Sequence, residues 1–175
     1  MKYYWTADSH LGHQSKTDPN KSIIKYCNRP FKNIEEHDET IISNYNSIIQ
    51  PQDIVYCLGD FSFKNPDKYL SRLNGCWILI KGNHDPSEVY KAKFQFVKDV
   101  YSTTIYGQNI FMSHFSHRVW NRAHYGSWHL YGHSHGTLSD YGKSCDVGVD
   151  AWNYKPVSFE QLYERFKDVE NIKHH

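Results

Sequence analysis

The sequence predicts an α/β fold in a single domain spanning residues 1–175, on three observations. Short apolar runs rich in β-branched and aromatic residues recur along the chain, each closed by glycine or a polar cluster. Stretches with helix-start signatures lie between several of them. One glycine turn between two strand-like segments adds antiparallel character.

The runs read as buried strands. Lys2 to Ala7 ends at Asp8-Ser9-His10, Asp53 to Leu58 ends at Gly59-Asp60, and Cys76 to Lys81 ends at Gly82-Asn83-His84-Asp85. Asn109 to Ser113 ends at His114, and Trp128 to Tyr131 ends at Gly132-His133-Ser134-His135. A first helix is expected from Asn33, with Glu36 three residues on, an apolar face of Ile41, Tyr45 and Ile48 or Ile49, and Pro51 as the stop. A second begins near Pro66 and ends at Asn74-Gly75. A third begins at Ser158, where Gln161 completes a capping box, and runs toward Phe166. The Tyr106-Gly107-Gln108-Asn109 turn predicts a hairpin between Tyr101 and Ser113.

The chain of 175 residues is long enough for a sizeable core, and 39% apolar with 22% charged residues reads as globular. No apolar run approaches the ~18 residues of a membrane span, and the N-terminus lacks the pattern of a signal peptide, so a cytoplasmic protein of a bacterial or host cell is expected. Cys27, Cys57, Cys76 and Cys145 have no CxxC spacing and read as buried, reduced thiols. A net charge of +1 supplies no global field for nucleic acid or an acidic membrane. Histidine is the outlier: it occurs 12 times, and it is the commonest metal ligand. His174 and His175, at the very end, are set aside as a tail.

In α/β sheets, ligand sites form outside the carboxyl ends of strands. Five successive strands here deliver Asp, His or Asn at that end, a placement that scattering 12 histidines at random would not favour.

In this order, Asp8-x-His10, Gly59-Asp60, Gly82-Asn83-His84-Asp85, His114 and Gly132-His133-x-His135 resemble the calcineurin-like metallophosphoesterases. Asp146-Val-Gly-Val-Asp150 also looks like the closing strand of small bacterial and phage members. The resemblance implies an αββα four-layer sandwich of two mixed β-sheets flanked by helices. It implies a dinuclear-metal phosphoesterase in which a metal-bridging hydroxide attacks a small phosphodiester or phosphomonoester. Asp8, His10 and His135 would hold one ion, Asn83, His114 and His133 the other, and Asp60 would bridge them. Carboxylate, amide and imidazole donors without thiolate suit Mn²⁺ first, with Fe, Zn²⁺ or Ni²⁺ as alternatives. His84 would protonate the leaving oxygen.

The chain departs from the family pattern in one block. Gly59-Asp60-Phe61-Ser62-Phe63 carries Phe63 where many members have a second acidic residue that orients the histidine, so Asp85 or a backbone carbonyl is left to orient His84. The family's phosphate-binding arginine after that block is missing too. Arg29, Arg118 and Arg122 are therefore candidate substrate contacts, and His13 is a further one, three residues beyond His10. Trp120 and Trp128 read either as core or as stacking surfaces. His37, beside Asp38 and Glu39, reads as a surface residue, and His129 as core or as a neighbour of the ligands. Two other readings remain open: a nuclease acting on nucleotides or short single-stranded nucleic acid, and a metal-binding interaction scaffold without catalysis.

Overall fold

The computed structural model describes residues 1–173; His174 and His175 lie outside the described residues. Two sheets face each other. The first contains β1 (Tyr3–Thr6), β2 (Ile54–Cys57), β3 (Cys76–Ile80), β4 (Val97–Lys98) and β9 (Val157–Ser158), in the order β4-β3-β2-β1-β9. β1 to β4 are parallel, and β9 joins antiparallel to β1. The second contains β5 (Val100–Ile105), β6 (Gln108–Ser113), β7 (Trp128–Tyr131) and β8 (Ser144–Asp146), in that order, with an antiparallel β5–β6 pair and parallel β6–β7–β8. This is the two-sheet αββα arrangement with mixed sheets that the motif order implied.

Parallel strands buried on both faces show no polar alternation, which is why the first three runs are apolar throughout. Their side chains still divide by parity. Trp5, Tyr56, Ile78 and Ile80 point into the core between the sheets, where they meet Ile110, Met112, Trp128 and Leu130. Tyr4, Val55, Cys57, Trp77 and Leu79 point the other way, onto the helical layer. The Trp5 indole N–H donates to the Met112 sulfur at 3.2 Å, a polar contact from one sheet to the other.

The helical layer is α1 (Ile23–Tyr26), α2 (Ile34–Ile48) and α3 (Pro66–Leu70). In α2 the Asn33 side chain accepts the Glu36 N–H, as the cap signature predicts, and Ile41, Tyr45 and Ile49 are buried. α3 is shorter than expected: regular helix stops at Leu70, and turns carry the chain on to Gly75. α4 (Phe159–Phe166) has both halves of the Ser158/Gln161 capping box, and its Leu162 and Phe166 enter the core between the sheets. The outer face of the second sheet is covered by the segment after β6, where Trp120 and His117 pack on His129. Trp120 and Trp128 are both core residues. In the hairpin, Tyr106 and Gly107 take left-handed φ values of 49° and 81°, a two-residue turn, so Gln108 and Asn109 already belong to β6.

The four cysteines are free thiols, and two differ from expectation. Cys76 is exposed at the first position of β3, where the strand's outermost residue clears the core. Cys27 is half-buried. No helix among the described residues is long and apolar enough to cross a membrane.

His129, on β7, is a core residue held between the hydroxyls of Ser113 (3.0 Å) and Ser144 (2.8 Å). Burial, and then the neighbouring His117, lowers its pKa to about 3 from 6.5. Above pH 6.5 the group is neutral in both states and contributes no pH dependence. Below that, the unfolded chain takes up a proton that the fold refuses, so stability falls as pH drops toward 3. Removing this titration with His129→Gln should lower the pH 5–6 slope of the unfolding free energy by about 1.4 kcal/mol per pH unit, the value of one proton. Urea melts across that range check it, and an unchanged slope would contradict the assignment.

Candidate metal centre

The strand ends β1, β2, β3, β6 and β7 open at one end of the sandwich, where the two sheets meet. At these points the backbone turns sharply. Asp8 (φ 57°), His10 (48°), Asp60 (54°), His133 (67°) and His135 (48°) all adopt the left-handed region that non-glycine residues normally avoid. Such strain collects where the surroundings over-determine it, and it turns consecutive side chains toward one point.

Glycines let the loops approach. A Cβ on Gly59 (φ 98°) would stand 2.5 Å from the His114 Nδ1, and one on Gly132 would stand 2.7 Å from the Asp8 carboxylate. Each loop is then held by a carboxylate of another segment. The Asp8 Oδ2 accepts the His133 N–H at 2.8 Å, and the Asp60 Oδ1 accepts the His84 N–H at 2.8 Å. Asp146 accepts from Ser134 Oγ, Gly136 N and Gly148 N.

Two groups of donors result. Candidate ligand atoms of Asp8, His10 and His135 lie within 4.8 Å of one another, as do those of Asp8, Asp60 and His114. The Asp60 Oδ2 stands 3.4 Å from the His10 Nε2 and 3.6 Å from the His114 Nε2, between the two groups. The Asn83 Oδ1 lies 2.8 Å from the His114 Nε2, while the His114 Nδ1 bonds the Leu58 carbonyl oxygen at 2.7 Å. His133 stands at the rim, its ring 5.2 Å from that of His114 and 4.7 Å from that of the exposed Phe115.

Among the described residues the buried Asp8 Oδ1 and His10 Nε2 have no hydrogen-bond partner. Buried polar atoms are almost always paired, so an orphaned carboxylate oxygen and an orphaned imidazole nitrogen within one donor cluster suit a cation. Burial pushes the Asp8 and Asp60 carboxyls up and the His10, His114 and His133 imidazoles down. Neutral imidazoles keep a lone pair free, and burial of the two carboxyls leaves their charge to be balanced locally. The residues present therefore fit divalent cations.

The other candidates divide sharply. His13 belongs to the cleft: its Nδ1 is 3.1 Å from the His10 Nδ1, and its ring stacks on Phe63 at 4.3 Å and 3°. Burial, with His84 and Arg29 nearby, lowers its pKa to about 4. Phe63 thus fills the place of the family's second carboxylate with an aromatic partner for His13. His84 lines the same cleft, its ring 5.8 Å from that of His10.

Asp85 does not reach the chemistry. Its carboxylate is taken by the backbone N–H groups of Asp60, Phe61 and Gly82 at 2.8–2.9 Å, so it fastens the loops under His84 rather than orienting the ring. Arg29 is no substrate contact either. Its guanidinium is buried, forms a two-pronged pair with Asp150 (2.9 and 2.7 Å), and donates to the carbonyls of Asp8 (2.7 Å) and Ser9 (3.3 Å). It also donates to the His37 Nε2 at 2.7 Å, leaving the His37 Nδ1 to donate to Asp38. His37 is accordingly buried rather than on the surface. Arg118 is exposed over the Tyr141 ring. Arg122 lines a separate hollow of about 150 Å³ with Asn109, Asn121 and Ser127.

Two residues at the centre escaped the sequence reading. Asp150 accepts the His135 Nδ1–H at 2.6 Å. Burial works against a charged His135, but the bonds to Asp150 and Cys27 prevail and raise its pKa to about 10. The Cys27 sulfur lies 3.4 Å from the same nitrogen. The Asp-x-x-x-Asp spacing of Asp146 and Asp150, noted only as a closing strand, was the available signal for the first.

No protein-family model matches the chain. The chain is 34% identical over 186 aligned residues to the uncharacterized protein MJ1445 of Methanocaldococcus jannaschii, covering 98% of this chain and 96% of that one. The two belong to one family. A protein of unknown function from Aquifex aeolicus, AQ665, has a solved structure that superposes with a TM-score of 0.72 at 24% identity, over 94% of this chain and 99% of that one. A solved archaeal phosphodiesterase superposes at 0.51 with 18% identity, over 85% and 82% of the two chains. The fold is that of the calcineurin-like metallophosphoesterases. The donor groups lie at the carboxyl ends of the strands of that fold.

Replacing Arg29 with Met would leave the Asp150 carboxylate and two carbonyls facing a buried apolar side chain. The expected loss of stability is about 3–5 kcal/mol. Urea unfolding of the metal-free variant measures it, and a loss below about 1 kcal/mol would show that solvent or a neighbour replaces the guanidinium.

Proposed function

We propose that the protein is a metal-dependent phosphoesterase that hydrolyses a small phosphodiester or phosphomonoester in the cleft over Asp8, Asp60 and His84. The orphaned Asp8 Oδ1 and His10 Nε2, on residues of one cluster of carboxylate and imidazole donors, carry this reading. A solved protein described as an archaeal phosphodiesterase has the same fold, which agrees with it.

Asp8, His10 and His135 would hold one ion, Asn83, His114 and His133 a second, and Asp60 would sit between them. Two divalent cations in that setting would activate water and neutralise charge on the phosphoryl oxygens. Mn²⁺ is the first ion to test, since oxygen and imidazole donors without thiolate suit it.

The remaining work falls to the chain's own side chains. His84 has its main-chain N–H on Asp60, which plants the residue beside the donor set with its ring on the open side of the cleft. From there it would donate a proton to the leaving oxygen. The Asp150–His135 bond fixes the ring orientation of His135, and Arg29 fixes Asp150 in turn. The stacked rings of Phe63 and His13 form one wall of the cleft. A scaffold without catalysis gives no reason for His84 to face the donors across an open cleft.

Asp60→Asn or His133→Ala should cut hydrolysis of bis(4-nitrophenyl) phosphate in Mn²⁺ by at least about 100-fold with the circular dichroism unchanged. Undiminished turnover in either variant would contradict the two-ion reading. His84→Ala should retain its metal by elemental analysis and slow turnover by about 10²–10⁴-fold for poor leaving groups, and by much less for nitrophenolate. An equal loss across leaving groups would remove the proton-donor role.

A further inference from the structure

The cleft beside the donor set does not end at its aromatic wall. The cavity over the donors, about 440 Å³, is bounded on one side by His13, Tyr26 and Phe63. A second hollow of about 380 Å³ has the same three residues on its near side and Lys16, Lys21 and Lys64 on its far side. The two are neighbouring compartments with a shared aromatic partition.

The partition is built for a flat ligand. His13 and Phe63 are parallel at 4.3 Å, and the Tyr26 ring lies 6.0 Å from His13. Phe63 keeps 36% of its surface exposed and Tyr26 62%, large values for aromatic residues next to a buried polar centre. Exposed aromatic faces beside a phosphate-handling site suit a nucleobase, because every base offers a π-face to stack on.

The lysines are held together as well. The Ser15 N–H donates to the Lys21 carbonyl at 2.8 Å, closing the loop that carries Lys16 and Lys21. Lys64 follows Phe63, whose N–H is tied to the Leu11 carbonyl at 2.9 Å. Among the described residues Lys16, Lys21 and Lys64 are in no ion pair, as is common for this chain's surface lysines; what sets the three apart is that they line one hollow. The acid in the same loop, Asp18, turns an oxygen to the Asn20 N–H. Three ammonium groups around one hollow outnumber the single Asp18 carboxylate of that loop and leave a local positive charge that favours an anion.

We propose that this second hollow is a phosphate subsite, and that the substrate is a short nucleotide chain. Its scissile phosphate lies at the donor set, a base stacks on Phe63 and Tyr26, and the next phosphate lies among Lys16, Lys21 and Lys64. The inference rests on the phosphoesterase reading for its scissile position, but the lysine subsite stands on its own geometry. A hollow of about 380 Å³ has room for one further phosphate. A single strand and a terminally phosphorylated dinucleotide present the same chemistry to it.

Two measurements test the subsite. The first compares hydrolysis of thymidylyl-thymidine with and without an added terminal phosphate, at either end, in Mn²⁺. One of the phosphorylated forms should show a kcat/KM at least about tenfold higher, the effect of one charge-assisted contact. In the triple variant Lys16→Ala/Lys21→Ala/Lys64→Ala that ratio should fall to within about twofold of unity. The second uses fluorescence anisotropy of labelled hexathymidylate on the metal-free protein. The triple variant should bind at least about tenfold more weakly, and the wild-type affinity should fall with log[salt] at about −0.7 per phosphate contacted. Tyr26→Ser should weaken the hexamer in the same assay without altering that slope.

Equal affinity for the hexamer and the phosphorylated dinucleotide identifies the dinucleotide as sufficient, and tighter hexamer binding identifies the longer strand; both support the subsite. A phosphate preference that is absent, or that survives in the triple variant, overturns it. If bis(4-nitrophenyl) phosphate is not hydrolysed either, the phosphoesterase reading fails, and the anisotropy result still decides the lysine site.

Discussion

Asp8, His10, Asp60, His133 and His135 each leave their segments through the left-handed region, a conformation that costs about 1–3 kcal/mol per residue unless the surroundings hold it. What holds it is a set of carboxylates that each grip the backbone of a different loop. Asp8 reaches the His133 amide, Asp60 the His84 amide, Asp85 the amides of Asp60 and Phe61, and Asp146 the Gly136 amide. Removing one leaves N–H groups unsatisfied and lets a strained turn relax, so the loops stand or fall as a set. The glycines matter for the same reason: at Gly59 and Gly132 any side chain would push apart loops that must touch. The donor atoms converge because the main chain is tied down.

The buried guanidinium of Arg29 extends this network to the helical layer. From α2, Asp38 accepts from His37, His37 accepts from Arg29, and Arg29 holds both Asp150 and the carbonyls that follow β1. Asp38 also accepts the Gly12 N–H and the Tyr69 hydroxyl, which ties the His10–His13 loop to α3. An arginine suits this position because one planar fork satisfies two carboxylate oxygens and two carbonyls at once. Lysine offers a point charge and would leave part of that set unpaired.

Much of this was legible from residue order. Strand ends followed by Asp, His and Asn located the centre, and the Asn33 and Ser158 caps located two helix starts, because those signals are local. Arg29 was misread because its partners lie elsewhere in the chain: Asp150 is 121 residues away, and the carbonyls it meets belong to a turn whose direction no residue type announces. His37 was read as surface from its charged neighbours. Its position four residues before Ile41, on the stripe that continues to Tyr45, was the better guide, since residues four apart share a helix face. Asp85 illustrates another limit. Its proximity in sequence to His84 suggested a catalytic partner, but backbone amides of its own and a neighbouring loop claim it first. Phe63 could only be seen as a departure from the family pattern until the structure placed His13 against it.

The donor set lies on the seam between the two sheets. Asp8, His10, Asp60 and Asn83 extend from strands of the first sheet, and His114, His133 and His135 from strands of the second. A cation held from both sides would work as a rivet through two plates. Its binding free energy would then add to the cohesion of the sandwich. Prising the two sheets apart would mean releasing the ion, so the sandwich would be harder to open in its presence.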